Sequence, residues 1–488
     1  MGRHIAGIIA FKRSILIFAV VMAIHVFSSF DICWFFVSEG ITDNGFVFSS
    51  SWREHLHSSE EWAIYYQIQA LREGRPWLSH GSPPKVTTDV FRIGEYYYAP
   101  FEPLTAFMLL PFYMGGEALL GKSYLIRSAL LGMVFYTCLG SLLARRVASK
   151  MGQSQIIADL ASFLFALTTM AFSYSRLLYP QPIVGLFTFL TIASLFNHKK
   201  SRTKSDLSIA FLFYGLTLVS FNASIIAVPF ILLFLVKNGS FRKKEDFLVS
   251  GLGLLPAILL FTGWNYVVTG YPLVTPRQIV HPSMSFDFVG IAANGTWLNM
   301  EGLFGSLFSP LGIFFVSPVL FASFIGFSSL KSRVGHETML LTSLVIAFWG
   351  FMSFLNLGGY AGRDFWVGGW ASIARHMYVP SSILVLFASE AFENVSKNRN
   401  LLGAWLISGS CIISFLANFS YGIRHDLMVG RLKDFMSNSL LIWPYPLHTR
   451  EVAFFCVIVI SISVVYPILL AKARGDHDRL DMGNKVAH

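Results

Sequence analysis

Two adjacent carboxylates, Glu60 and Glu61, head the stretch SSEEWAIYYQIQALREG at residues 58–74. Ser58 or Ser59 is the right residue type to cap a helix. Trp62, Tyr65, Tyr66, Ile68 and Leu71 then recur at amphipathic helical spacing, and Gly74 ends the run. Both acids fall in the first turn, where the helix dipole favours the ionised form. A carboxylate held there can remove a proton from a hydroxyl, or can simply complement the dipole, and the spacing leaves both roles open. Asp43 and Asp89 share the same polar segment with Lys85 and Arg92, and Asp31 lies just before it. A second set, Tyr271, Arg277, His281, Asp287, Trp297 and Glu301, occupies residues 269–307 together with the sequon Asn294-Gly295-Thr296. Aromatics among a few polar groups suit stacking on sugar rings and equally suit a membrane-interface belt.

The elements that must position these residues are apolar. Of 488 residues, 54% are hydrophobic and 13% charged, with mean hydropathy +0.58. Soluble domains carry about 25% charge, so ordinary cytosolic and disordered classes are excluded. Runs of roughly 17–25 apolar residues can cross a bilayer. They fall near 14–36, 124–144, 156–175, 180–196, 206–221, 222–236, 246–268, 308–330, 338–356, 376–392, 401–420 and 451–471, which gives an all-α polytopic membrane protein of about 12 transmembrane helices. The first run is too long for a signal-peptide core and lacks a small-residue cleavage site, so it is expected to stay in the membrane. Cys33, Cys138, Cys411 and Cys456 each sit in an apolar run without CxxC or Cys/His spacing, which reads as packed thiols.

Charge placement orients the chain. With Arg3, Lys12 and Arg13 inside, the even-numbered spans end in basic clusters such as Arg145-Arg146 and residues 198–204, and 22 of the 37 Lys and Arg residues fall in short cytosolic segments. The formal charge of +10 is therefore a topological signal, and no nucleic-acid partner is implied. Counting 104–120 as a span would invert every later loop, and it contains Pro111 and Gly115-Gly116. It is expected to be a juxtamembrane helix at the outer face, within one long extracytoplasmic loop over 37–122. The helix after Glu61 is likewise expected to lie flat in the interface with its aromatics toward lipid.

Ion-coupled transporters mark their path with buried ionisable groups, which cost about 2.5–3.5 kcal/mol or more at mid-bilayer. Here the span interiors hold few, among them His25, Asp31, Asp159 and Glu390. For His25 and Asp159 the simpler reading is a satisfied polar contact between packed helices. This scarcity argues against a proton-driven pump, though not against a lipid flippase.

Four segments in order resemble the GT-C membrane glycosyltransferases, which use polyprenyl-phosphate sugars and include the aminoarabinose and protein mannosyl transferases. They are Glu60-Glu61 with YYQIQALREG at 65–74, EYYYAPFEPLTAFMLLPFY at 95–113, GLFGSLFSPLGIFFVSPVLF at 302–321 and WVGGWASIARHMYVPSSILVLF at 366–387. The resemblance implies juxtamembrane helices in the first outer loop and an inverting transfer of sugar from a polyprenyl phosphate to a lipid, glycan or protein acceptor. It places a GT-C-like catalytic module over residues 1–400. Residues 401–488 add further helices, an outer loop at 421–450 and a cytosolic tail. The expected setting is the cell membrane, with both termini cytoplasmic and the active site outside.

By that resemblance the base is Glu60, with Glu61 beside it, although the family residue is usually Asp; Asp89, Asp43 and Asp31 stand as rivals. Arg375 aligns with the family's "GPR" arginine and is assigned to the donor phosphate, together with Arg92 or Lys85, because arginine suits bidentate phosphate contact. Tyr65, Tyr97 and Trp370 complete the expected substrate contacts. Two departures stand out: Ala99 replaces the basic residue before the family's paired prolines, and the second outer turn reads SRLLYPQP at 175–182, without the acidic pair that holds metal in some members. No metal site is therefore assigned, and Mg²⁺ or Mn²⁺ stays open only for two acids meeting elsewhere. The rival readings are a flippase for lipid-linked sugars and a non-catalytic assembly partner.

Overall fold

The computed structural model describes residues 2–29, 40–41, 47–48, 59–84, 90–241, 243–276, 300–308, 312–352, 375–397 and 401–421. Asp31, Asp43, Lys85, Asp89, Trp370, the sequon and the 451–471 run lie outside them. The chain begins with α1 (Gly2–Ser29) and the strand pair β1 (Gly40–Ile41) and β2 (Val47–Phe48). A small unit follows, made of α2 (Ser59–Arg72), the antiparallel strands β3 (Ser79–His80), β4 (Phe91–Ile93) and β5 (Tyr96–Tyr98) in the order β3-β5-β4, and α3 (Leu104–Leu120). The rest is helical: α4 (Leu125–Lys150), α5 (Gln155–Thr168), α6 (Met170–Tyr174), α7 (Gln181–Ser201), α8 (Lys204–Ser220), α9 (Val228–Lys237) and α10 (Lys244–Thr269). Then come α11 (Met300–Phe308), α12 (Ile313–Val316), α13 (Ser323–Arg333), α14 (Gly335–Met352), α15 (Tyr378–Lys397) and α16 (Leu401–Tyr421).

The fold is that of a mostly helical membrane protein, and among the described residues fewer helices than the twelve expected runs are long and apolar enough to cross a membrane. Only α4 and α10, 26 residues each, are long and apolar enough to cross a membrane alone, and the bent pair Leu303–Val316 with Pro318–Arg333 would make a third. Backbone breaks shorten two of the other runs. Thr169 is extended at φ −117 and ψ 176 between α5 and α6, and its hydroxyl accepts the Ala171 N–H at 3.1 Å. Pro318 opens a 3-10 turn, Pro318–Ala322, between α12 and α13. Both breaks meet at buried Asn418 of α16, whose Nδ2 faces Val316 O at 3.1 Å and Thr168 O at 3.4 Å. The carbonyls that a break leaves open are thereby satisfied inside an apolar core.

Polar contacts sort to the two ends of the bundle. At one end Asp159 pairs with Arg13 and with Arg145 at 2.5 Å, Lys199 with Glu337 at 2.6 Å, and Arg333 with Glu390. These are the basic clusters that follow alternate apolar runs, so consecutive hairpins place them together. His25 is buried, with Nδ1 at 2.8 Å from Ser175 Oγ and Nε2 at 3.1 Å from Ala166 O, the satisfied contact expected for it. Cys138 and Cys411 are buried free thiols. α10 packs against α8, where a Cβ on Gly253 would meet the backbone carbonyl of Ser208. Its opposite face leaves Phe247, Leu248, Leu252 and Leu259 exposed, as a lipid-facing helix requires.

The first-loop unit differs from expectation in one respect. The aromatic face of α2 meets protein rather than lipid: Trp62, Tyr65 and Ile68 are buried in a cluster with Leu109 and Tyr113 of α3 and Leu125 and Ala129 of α4. α3 is a single helix running through Pro111 and lies antiparallel along the first half of α4. Tyr136 Oη donates to Met108 O at 2.7 Å, and a Cβ on Gly132 would meet Leu109 Cδ2 at 2.8 Å, so the glycine sets that close approach. With α3 available as a partner, α2 buries its apolar stripe without needing the bilayer.

Candidate active site

The site forms where α2 meets the turn between α6 and α7 and the 3-10 turn Arg375–Met377 that leads into α15. It lies at the end of the bundle opposite the basic clusters, because α7 and α15 each run from this end to Lys199 and Lys397. Ser59 starts α2, so Glu60 and Glu61 occupy its first turn as the spacing predicts, and Gly74 closes the element at φ 70. The two acids then diverge. Glu61 is fully buried, and its Oε1 accepts the backbone N–H of Leu178 at 3.0 Å. Glu60 pairs through Oε2 with Nη1 of Arg375, 315 residues away, and the two side chains are only 15% and 14% exposed.

Arg375 is held from several sides. Its guanidinium carbon lies 5.6 Å from the centroid of Tyr179, and the buried rings of Tyr174, Tyr179 and Tyr378 pack edge to face behind it at 5.8 and 6.0 Å. Gly185 makes room for Tyr378, since a Cβ there would meet its ring at 2.6 Å. His376 stacks on Phe221 at 5.4 Å, which fixes the turn on the other side. Burial disfavours the charged guanidinium, but the Glu60 carboxylate outweighs it and, with Tyr179, holds Arg375 above its ordinary value. The pair thus sets a carboxylate against a guanidinium in a largely buried niche.

Of the other expected site residues, Tyr65 is a buried core residue whose ring lies 6.0 Å from Tyr113. Arg92 and Tyr97 form a cross-strand pair on β4 and β5, with the guanidinium 6.0 Å from the Tyr97 centroid and Arg92 Nε donating to Gly94 O at 2.6 Å. That pair sits on the exposed sheet, and no described contact joins it to Glu60 or Arg375. Lys85, Asp89 and Trp370 lie outside the described residues. Sequence reasoning did not single out Tyr179 or the Leu178 amide. The signal available was the turn SRLLYPQP, whose tyrosine before proline is the residue that reaches Arg375.

Among the described residues no group of three His, Cys, Asp or Glu side chains converges on a metal-sized site. The donors nearest the chemistry do not fit a divalent ion, because Arg375 stands against Glu60 and Glu61 is committed to a backbone amide.

No family model matches the sequence, and no curated protein matches it. Solved structures do. The oligosaccharyltransferase of Archaeoglobus fulgidus, crystallised with Zn and sulfate, is 15% identical, with a TM-score of 0.52 over 89% of this chain and 58% of its own. AglB from the same organism, in complex with an inhibitory peptide and a dolichol-phosphate, gives 14% identity and a TM-score of 0.51 over 88% of this chain and 56% of its own. ArnT from Cupriavidus metallidurans, bound to undecaprenyl phosphate, gives 10% and 0.47 over 93% and 78%. The chain thus spans 58% of the length of the oligosaccharyltransferase it resembles. At such identity the likeness speaks to fold alone: the chain shares the fold of these oligosaccharyltransferase structures, and its long apolar helices are those of an integral membrane protein.

Proposed function

We propose that this protein is a membrane glycosyltransferase that moves a sugar from a polyprenyl-phosphate donor to an acceptor hydroxyl on a lipid, glycan or protein. The observation that carries the reading is the Glu60–Arg375 pair, a carboxylate and a guanidinium side by side in a largely buried niche at one end of the bundle. A sugar linked through phosphate to a long isoprenoid keeps its reacting bond at the membrane surface. The transfer needs two groups there, a base for the acceptor proton and a cation for the departing phosphate. The acceptor O–H proton passes to Glu60, the acceptor oxygen bonds to the anomeric carbon, and the bond from that carbon to the phosphate oxygen breaks. The electron pair leaves on the phosphate, where Arg375 balances its second negative charge.

The finer picture belongs to the same proposal. The apolar runs form about twelve spans, with 1–400 as the catalytic module, α16 docked on it through Asn418, and 401–488 as its extension. The termini face the cytosol of a cell membrane, and the site faces outward next to membrane lipids. Lys85, Arg92, Asp89, Tyr97 and Trp370 are proposed to join the site when donor and acceptor are bound. Mg²⁺ or Mn²⁺ is given no step.

One observation favours the flippase reading: α5–α6 and α12–α13 are broken helices, a feature of membrane carriers. Both breaks are filled by the Asn418 amide and by Ser173 Oγ, which donates to Asn418 O at 2.8 Å. Such breaks are fixed rather than poised to open, which leaves the transferase as the better reading.

The test supplies radiolabelled polyprenyl-phosphate sugars and candidate acceptors to purified protein and to Glu60→Gln. Loss of a general base is expected to lower kcat by about 10²–10⁴. Unchanged turnover in Glu60→Gln removes the base assignment, and donor binding without turnover by the wild type supports the carrier or assembly reading.

A further inference from the structure

We infer that the Glu60–Arg375 ion pair is the resting, latched form of the site, and that the phosphate of the lipid donor opens it, so that the donor must bind before the acceptor. This inference rests on the transferase reading. It adds the state of the site before substrate arrives and the order in which substrates enter.

A carboxylate in direct contact with a guanidinium has its basic oxygen engaged and its charge neutralised. With only 15% of Glu60 and 14% of Arg375 exposed, water screens the pair little. In that state Oε2 of Glu60 is engaged by Arg375, and an acceptor hydroxyl arriving first meets a carboxylate whose charge is already paired. Two features make the contact breakable. Glu61, one residue on, is anchored to the Leu178 amide, so α2 keeps its place when Glu60 loses its partner. The guanidinium carbon of Arg375 lies 5.6 Å from the centroid of Tyr179, a ring that can support the cation while it exchanges one anion for another.

A donor phosphodiester brings a competing anion to the same guanidinium. As the sugar–phosphate bond breaks, the phosphate gains a further negative charge and draws Arg375 more strongly, while Glu60, relieved of its counter-ion, accepts the acceptor proton. One arginine thus links leaving-group stabilisation to base activation, and both gains fall in the transition state.

The pair also makes a prediction independent of turnover. If Arg375 must be taken from Glu60, removing the Glu60 charge strengthens phosphate binding; if Glu60 merely holds Arg375 in position, removing it weakens binding. Farnesyl phosphate in detergent, titrated by calorimetry, serves as probe against wild type, Glu60→Gln, Arg375→Gln and Glu61→Gln. The expected result is roughly tenfold tighter binding for Glu60→Gln, a tenfold change being 1.4 kcal/mol, and at least tenfold weaker binding for Arg375→Gln. Glu61→Gln removes the same unit of charge one residue away without touching the pair, and stays within about twofold of wild type. Equal tightening in both Gln variants reduces the effect to general charge repulsion and overturns the latch, as does unchanged or weaker binding in Glu60→Gln. Failure of the transferase reading gives a different result, no transfer from any polyprenyl-phosphate sugar by wild type, whether or not farnesyl phosphate binds.

Discussion

Glu60 and Glu61 are chemically identical and adjacent, yet the fold gives them opposite tasks. Successive helical positions point about 100° apart, so only one can face the site when the other faces the bundle. Glu61 takes the inward direction and accepts the Leu178 N–H at 3.0 Å, a buried donor that would otherwise have no such acceptor. In the proposed reaction it is a positioning residue, because it ties the turn of α2 that bears the proposed base to the turn that carries Tyr179. Glu61→Ala leaves a buried amide unsatisfied and is expected to lose about 1–3 kcal/mol of stability. It also lets Glu60 drift, so kcat falls at least tenfold while donor KM changes little. Glu61→Gln keeps an acceptor oxygen and restores kcat to within a few-fold, as thermal melts and steady-state kinetics would measure. A failed rescue in a folded Gln variant would mean that the charge, not the hydrogen bond, matters. The pairing of acids was legible in the sequence, and so was Arg375 through its motif. Which acid faces which partner was not, because that depends on how α2 is rotated against segments more than 100 residues away.

The helices themselves were legible wherever the apolar run was long, and their interruptions were not. Residues 156–175 read as one span, but Thr169 adopts an extended backbone and splits it, since Asn418 from α16 supplies hydrogen bonds that a continuous helix would not need. A break of this kind is set by a residue some 250 positions away and leaves no local trace. α2 shows the same limit: its amphipathic stripe was visible, but not whether lipid or α3 would cover it. Close helix approach, in contrast, is written in single glycines. A Cβ on Gly326 of α13 would run into the backbone carbonyl of Phe387 in α15, which holds the Arg375 turn at its far end. Gly326→Ala is therefore expected to force the helices apart and lose about 1–3 kcal/mol. Gly251→Ala on α10, with nothing within 4 Å of the added carbon, stays within about 0.5 kcal/mol. Melting of both variants in the same detergent checks this, and equal midpoints would show that α13 and α15 can separate freely.

At the scale of the whole molecule, the charge asymmetry of the sequence becomes a physical polarity. The clusters carrying Arg145, Lys199, Lys204 and Arg333 gather at one end of the bundle in ion pairs, and the Glu60–Arg375 niche forms at the other. In the proposed orientation, drawn from the positive-inside rule, the niche is extracytoplasmic, where a lipid-linked sugar presented on the outer leaflet would meet it. This can be read directly in membranes. Cys138 and Cys411 are buried, and replacing all four cysteines by Ser or Ala gives a background for single reporters. Glu95→Cys sits on the exposed sheet of the first loop, where its side chain is 72% exposed, and Ser201→Cys sits at the exposed end of α7 between the basic clusters. In intact cells a membrane-impermeant maleimide is expected to label the cysteine at position 95 at once, and the one at position 201 only after the membrane is opened. The reverse pattern would place the niche in the cytosol, where the sugar donor would have to be presented on the inner leaflet. Labelling of both from outside would mean that an even number of crossings lies between them, and not the three expected from the runs at 124–144, 156–175 and 180–196. In that case α3, which lies along α4 and was assigned to the outer surface, becomes the first candidate for a further span.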